Sequence, residues 1–202
     1  MGNDLRSITP STYTILSNPA ILAISQDPGS RSAVRRWRYF VDDTDEFGQG
    51  EIQLWAGALS GGDEVVILLN AGNSEREMNA TLVDIFFDSG PTGNPTQANS
   101  AWDIYDLWAN RMDNSTAEQI IEAANGNSSA GDPNTIGTQF RYNATANGGY
   151  ASGLSQNLPV LLGKKIGTVE PHGRLTATVP RHGVAVFRLR QASSTSANHQ
   201  EL

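Results

Sequence analysis

The pattern of apolar and polar positions changes period once along the chain, near residue 30. Before that point apolar residues recur at helical spacing: Tyr13, Ile15 and Leu16, then Ile21, Leu22 and Ile24. Thr9 suits the N-cap of the first helix and Pro10 its first position, where a missing N–H costs nothing. Asn18-Pro19 ends that helix and starts a short second one, because the residue before proline avoids the α conformation. Asp27-Pro28-Gly29 stops helical structure.

From residue 35 the period is two. Arg35–Val41, Glu51–Leu59 and Glu64–Asn70 predict strands, the last two joined as a hairpin through Ser60-Gly61-Gly62-Asp63. The stretch EVVILLN is nearly all apolar, as a strand covered on both faces should be. In Arg76–Phe87, Met78, Ala80 and Leu82 alternate with Asn79 and Thr81, which predicts one strand with the polar pair outward. Residues 88–101 form a loop rich in Gly, Pro, Asn and Ser, and Ala101–Trp108 predicts another strand. The segment 109–135 is polar, with a short helix in AEQIIEAAN, and weaker strands are predicted near 136–142 and 158–169. Two clear strands follow. Arg174–Val179 turns Leu175, Ala177 and Val179 inward, and Gly183–Arg190 turns Ala185, Phe187 and Leu189 inward with Arg188 and Arg190 facing water. The tail QASSTSANHQEL has no apolar period and is expected to be disordered. Short strands separated by turn residues predict a mainly β chain, an antiparallel β-sandwich behind a helical segment.

Composition narrows the function classes. A net charge of −7 disfavours a nucleic-acid role, since nothing here neutralises a phosphate backbone. The basic cluster Arg35, Arg36 and Arg38 alternates with Trp37, Tyr39 and Phe40, the pattern of an exposed sheet edge. No apolar run approaches the ~18 residues of a membrane-spanning helix. The first residues lack the basic and apolar regions of a signal peptide. The chain has no cysteine, which removes disulfides, thiolate metal sites and cysteine nucleophiles together. Four sequons, at Asn79, Asn114, Asn127 and Asn143, favour a glycosylated secretory protein over accidental matches in polar loops.

Candidate chemistry is thin. The run VDDTDEFGQGE gathers Asp42, Asp43, Asp45, Glu46 and Glu51, and a retaining glycosidase needs two carboxyl groups about 5 Å apart. Lying between two strands beside Gly48 and Gly50, the run reads as a solvated acidic loop, and it lacks the spacing of an EF-hand. His172 and His182 each precede a glycine in a turn, and His199 lies in the tail; no G-x-S-x-G elbow accompanies them. Trp37, Trp55, Trp102 and Trp108 suit either a sugar-stacking platform or the sheet core, and the core is favoured. There is no Gly-rich phosphate loop and no cluster with metal-ligand spacing, so no cofactor is expected.

Two stretches carry a resemblance. MGNDLRSI followed by NPAILAISQDPG resembles the end of the catalytic barrel in the α-galactosidases (melibiases) of glycoside hydrolase family 27. WAGALSGGDEVVILLNAG, FFDSG, WDIYDLWAN and VPRHGVAVFRLR are similar to that family's C-terminal antiparallel β-sandwich, most of all in its secreted fungal branch, the α-galactosidase B type. The resemblance implies three parts: residues 1–30 as the end of the last barrel strand and the final helix of an incomplete TIM barrel, 31–190 as the sandwich, and 191–202 as the tail. Asn3 and Asp4 would lie at the pocket end of that strand, and Met1 is expected to be an internal methionine. The family's two catalytic aspartates lie in Lys-Tyr-Asp and Arg-x-x-Asp-Asp motifs, and neither motif occurs in the 202 residues. No catalytic residue is therefore expected in this chain.

The parent reaction implied is hydrolysis of terminal non-reducing α-galactosyl residues by double displacement, without metal or cofactor, in a secreted enzyme. The expected partners are α-galactosides and the catalytic barrel, with neither nucleic acid nor membrane. Three readings follow: a partial α-galactosidase, inactive alone, whose apolar helix residues have lost the barrel they packed on; a stand-alone carbohydrate-binding or interaction module; and, least favoured, an independent hydrolase built on the acidic run.

Overall fold

Thr9 Oγ1 accepts the Thr12 N–H at 3.3 Å and opens helix α1, Pro10–Leu16. Asn18 Oδ1 accepts the Ala20 N–H at 3.0 Å and opens α2, Pro19–Ser25, while its Nδ2 donates to the Leu107 carbonyl at 2.9 Å. One buried side chain thus caps a helix and ties it to a loop 89 residues away. The computed structural model describes residues 7–29, 32–44, 46–48, 50–87 and 95–192. Asn3, Asp4, Asp45, the FFDSG stretch beyond Phe87 and the tail from residue 193 lie outside the described residues.

The strands are β1 (Val34–Phe40), β2 (Glu51–Ala58), β3 (Glu64–Asn70), β4 (Arg76–Thr81), β5 (Trp102–Asp106), β6 (Lys164–Val169), β7 (Arg174–Val179) and β8 (Gly183–Gln191). Further helices are α3 (Leu82–Phe86), α4 (Asn114–Ala124), α5 (Tyr150–Ser155) and α6 (Pro159–Leu162). One antiparallel sheet runs β1-β2-β3-β8-β5-β6, and a second consists of β4 and β7. Gly61 and Gly62, at φ 74° and 82°, close the β2–β3 hairpin in a conformation that a Cβ penalises.

The main core lies between the two sheets. Leu54, Val66, Leu68, Trp102, Phe187 and Leu189 meet Met78, Ala80, Leu175 and Val179, closed at one end by Leu82, Ile85 and Phe86 of α3. Trp102 and Phe86 stack at 4.7 Å between ring centroids, and the indole N–H donates to the Gln97 carbonyl at 2.9 Å. The opposite face of the large sheet is also covered. Ala20, Ile21 and Ile24 of α2 pack on Val65, Val186 and Leu107, and Ala23 packs with Leu154, Leu161 and Leu162. Tyr13 of α1 joins Met112 and Ile120 beside α4. Much of the apolar surface of the two leading helices therefore rests on this chain's own sheet and on α4, although Ile15 is 46% exposed.

Four expectations are corrected. The strand predicted over Arg76–Phe87 stops at Thr81, because Thr81 and Asp84 form a capping box in which each side chain accepts the other's N–H at 3.0 Å. Beyond it the spacing Leu82, Ile85, Phe86 is helical, and all three are buried. Residues 136–142 form no strand but a single 3₁₀ turn at Thr138–Phe140. The segment predicted as a strand from 158 begins as α6, with Pro159 at its first turn. The strand starts only after Gly163, where a Cβ would lie 2.5 Å from the Asp106 carbonyl oxygen. Finally, Arg188 does not face water: it is fully buried. Its Nη1 donates to Asp63 Oδ2 at 2.8 Å, and Arg190 donates to the same carboxylate through Nε at 2.9 Å and Nη2 at 2.7 Å.

Removing one partner of a buried ion pair strands the other, at about 3–5 kcal/mol. Asp63→Ala is expected to lower the unfolding free energy by that amount in denaturant titrations. Thr81→Ala, which removes the cap of α3, is expected to cost about 1 kcal/mol. A smaller loss for Asp63→Ala than for Thr81→Ala would contradict this ranking.

Candidate functional site

Among its described residues the acidic run does not build a catalytic pair. Asp43 is turned toward the β3–β4 loop, where the Ser74 hydroxyl and Arg76 Nη2 both donate to it, and its carbonyl accepts the Asn73 N–H at 3.0 Å. The Ser74 hydroxyl, then Arg76, hold the Asp43 carboxyl below its ordinary pKa. Glu51 engages separately, with Arg38 at 3.5 Å and with the Gln53 amide. Asp42 and Glu46 are exposed. The run acts as a fastener between two loops, and among the described residues no group of three His, Cys, Asp or Glu side chains is placed to hold a metal.

His172 and His182 occupy left-handed turn positions, at φ 58° and 50°. Each is exposed and uses its backbone rather than its ring: the His172 N–H donates to Ala98 at 2.8 Å and that of His182 to Gly72 at 3.4 Å. Of the tryptophans, Trp102 is in the core, Trp37 packs partly against it, and Trp108 packs beside α2. Trp55 is half-buried, its N–H donating to Gln53 Oε1 at 2.7 Å with the Arg35 guanidinium 5.9 Å from the ring. All four sequon asparagines are exposed. Asn79 projects from β4, Asn114 begins α4, Asn127 caps a short turn and Asn143 accepts the Ala146 N–H at 3.0 Å.

One feature was not read from the sequence, and a second was read only as an exposed sheet edge. The first is the Asp63–Arg188–Arg190 cluster, beside a cavity of about 400 Å³ that Asp27, Ser60 and Asn157 also line. Its residues are bound to one another: Asp27 accepts from the Ser60 hydroxyl at 2.6 Å, and Arg190 donates to Asn157 Oδ1 at 2.5 Å. The second is an exposed aromatic margin along β1. Asp63 in the hairpin turn and the alternating Arg188 and Arg190 of the last strand were the sequence signals of the first, and Tyr39-Phe40 at a strand end that of the second.

The described residues thus form cavities but no metal-holding cluster, and the hydroxyl–carboxylate contacts at Ser60–Asp27 and Ser74–Asp43 tie loops together. Comparison with known proteins accounts for this. Residues 49–128 match the family described as the alpha galactosidase C-terminal beta sandwich domain. The chain is 48% identical over 193 residues to alpha-galactosidase 2 of Saccharomyces cerevisiae, covering 96% of this chain and 38% of that protein. For the alpha-galactosidase of Torulaspora delbrueckii the identity is 49% with the same coverage. The structure of the alpha-galactosidase of Saccharomyces cerevisiae with raffinose aligns at a TM-score of 0.82 and 47% identity, over 95% of this chain and 40% of that one. This chain is similar to the family 27 α-galactosidases over nearly its whole length. It corresponds to their C-terminal portion and spans 38% of the length of these relatives. In this sandwich the described carboxylates Asp27, Asp43, Asp63, Asp84 and Asp113 serve the fold.

Asp113 illustrates that use. It caps α4, and the Ser115 hydroxyl first, then the Thr116 N–H, lower its pKa from 3.8 to about 2. A carboxyl whose pKa is depressed on folding stabilises the native state above its unfolded value and loses that effect as pH falls through the folded one. The Asp113 contribution is therefore complete above about pH 4 and is lost toward pH 2. Asp113→Asn is expected to flatten the stability–pH curve between those values, measured by thermal unfolding. An unchanged slope would contradict the assignment.

Proposed function

We propose that this chain is the non-catalytic C-terminal sandwich of a secreted, glycosylated enzyme that hydrolyses terminal α-galactosyl residues by a retaining mechanism. The observation that carries the reading is the 48% identity to an α-galactosidase over 96% of this chain, in a region holding neither catalytic aspartate motif. The two aspartates of the double displacement, nucleophile and acid/base, would reside in the barrel portion of the longer protein. The sandwich would support them by packing on that barrel through the exposed side of α1 and α2, where Ile15 is 46% exposed. Raffinose, bound by the Saccharomyces cerevisiae relative, represents the substrate class of the whole protein. Secretion is supported by four exposed sequons.

The purified chain, assayed on a chromogenic α-galactoside, is expected to show no turnover above blank. Robust hydrolysis that survives repeated purification would overturn the reading. Expressed with a secretion signal in yeast, the chain is expected to carry glycans at Asn79, Asn114, Asn127 and Asn143. Glycopeptide mapping that finds all four bare would refute the glycosylated, secreted part of the proposal.

A further inference from the structure

Tyr39 and Phe87 are each 59% exposed, Val83 is 45% exposed, and Phe40 reaches 76%, all along one margin of the large sheet. The margin exists because six strands are covered by a layer of only two, β4 and β7, with α3 beside them. At the β1 end the covering runs out. Trp37 and Tyr39 pair with Leu54 and Ile52, so both lie on the covered face of the sheet, with ring centroids 5.1 Å apart. Opposite them stand Val83 and Phe87 of the α3 segment. Together with Arg36 and Asp84 these four residues line a groove of about 340 Å³.

The groove's polar groups suit a neutral hydroxylated ligand. Arg36, which lines the groove, faces Glu64 at 3.7 Å, and Arg38 faces Glu51 at 3.5 Å, so the groove's own cation is charge-matched from within while Arg35 lies 5.9 Å from the Trp55 ring. Asp84 uses Oδ2 for the Thr81 cap, leaving Oδ1 as an acceptor, and Trp37 Nε1–H has no acceptor among the described residues. A second copy adding a strand at β1 is opposed by three arginines on that edge and by a register break between Arg35 and Trp37.

We propose that the groove between β1 and α3 is a saccharide-binding site. It takes a neutral pyranoside whose C–H face lies on Tyr39 and Phe87 while hydroxyls meet Asp84 Oδ1 and Trp37 Nε1–H. The site needs no catalytic group, so its test is independent of the enzymatic reading above.

Isothermal titration of the full chain with raffinose and with methyl α-galactoside reads the site directly. Saturable binding of at least one probe is expected. Tyr39→Ala and Phe87→Ala should each weaken it by roughly three- to tenfold. Phe40→Ala, a more exposed ring on the opposite face of β1, should leave it unchanged, with circular dichroism showing all three variants folded. No saturable heat with either sugar would overturn the proposal, as would equal affinity in the groove variants or equal loss in Phe40→Ala. Sedimentation showing a Tyr39-dependent dimer indifferent to sugar would also overturn it, and would assign the margin to a second copy.

Discussion

Two arginines from one strand converge on a single carboxylate at the mouth of a hairpin, and the second face of the sheet depends on that meeting. Arg188 and Arg190 project from β8 toward α2 and α5 rather than toward the core between the sheets. Without Asp63 their charges would forbid helices from lying there, because an unpaired buried cation is far too costly. With Asp63 in place, the β2–β3 turn, β8 and the Leu154–Asn157 end of α5 are drawn together, and the helices cover Val65 and Val186. The pairing is imperfect: Arg188 Nε and Nη2 are buried without acceptors. It therefore specifies the arrangement more than it adds stability.

The same economy runs through the other acids. Asp27 binds the Ser60 and Gly29 N–H groups, Asp43 joins two loops through Ser74 and Arg76, and Asp84 and Asp113 cap helices. Of these, Asp43 and Asp113 have pKa values moved down by the donors that hold them. A general acid needs the opposite, a carboxyl raised toward neutrality. The two shifts are thus those of carboxylates that hold the fold.

A wide sheet under a narrow cover leaves a margin, and margins are where such a scaffold meets other molecules. At β1 the uncovered residues are aromatic, and Arg36 and Arg38 are paired with Glu64 and Glu51. At the other side of the molecule Ile15, Ile166 and Val184 are exposed, near the helices that lead into the sandwich. The two margins differ in chemistry: rings with free polar atoms at one, aliphatic surface at the other.

Local rules determined much of this from sequence alone. Thr9-Pro10 and Asn18-Pro19 set two helix starts, Gly61-Gly62 set a hairpin, a continuous apolar run set β3 and alternation set β7 to the residue, because each depends on neighbours within a few positions. The absence of the catalytic motifs was equally legible, since it is a property of the string. Tertiary structure decided the rest. Alternation placed Arg188 and Arg190 on the face away from Phe187, but only packing determined whether helices or water would cover that face. Thr81-Leu-Val-Asp84 could continue a strand or cap a helix, and the closure of the core over Ile85 and Phe86 chose the helix. Tyr39 and Phe40 were legible as an exposed edge, but the meeting of Tyr39 with Phe87 across one groove followed from tertiary packing, a relation between residues far apart that no local period encodes.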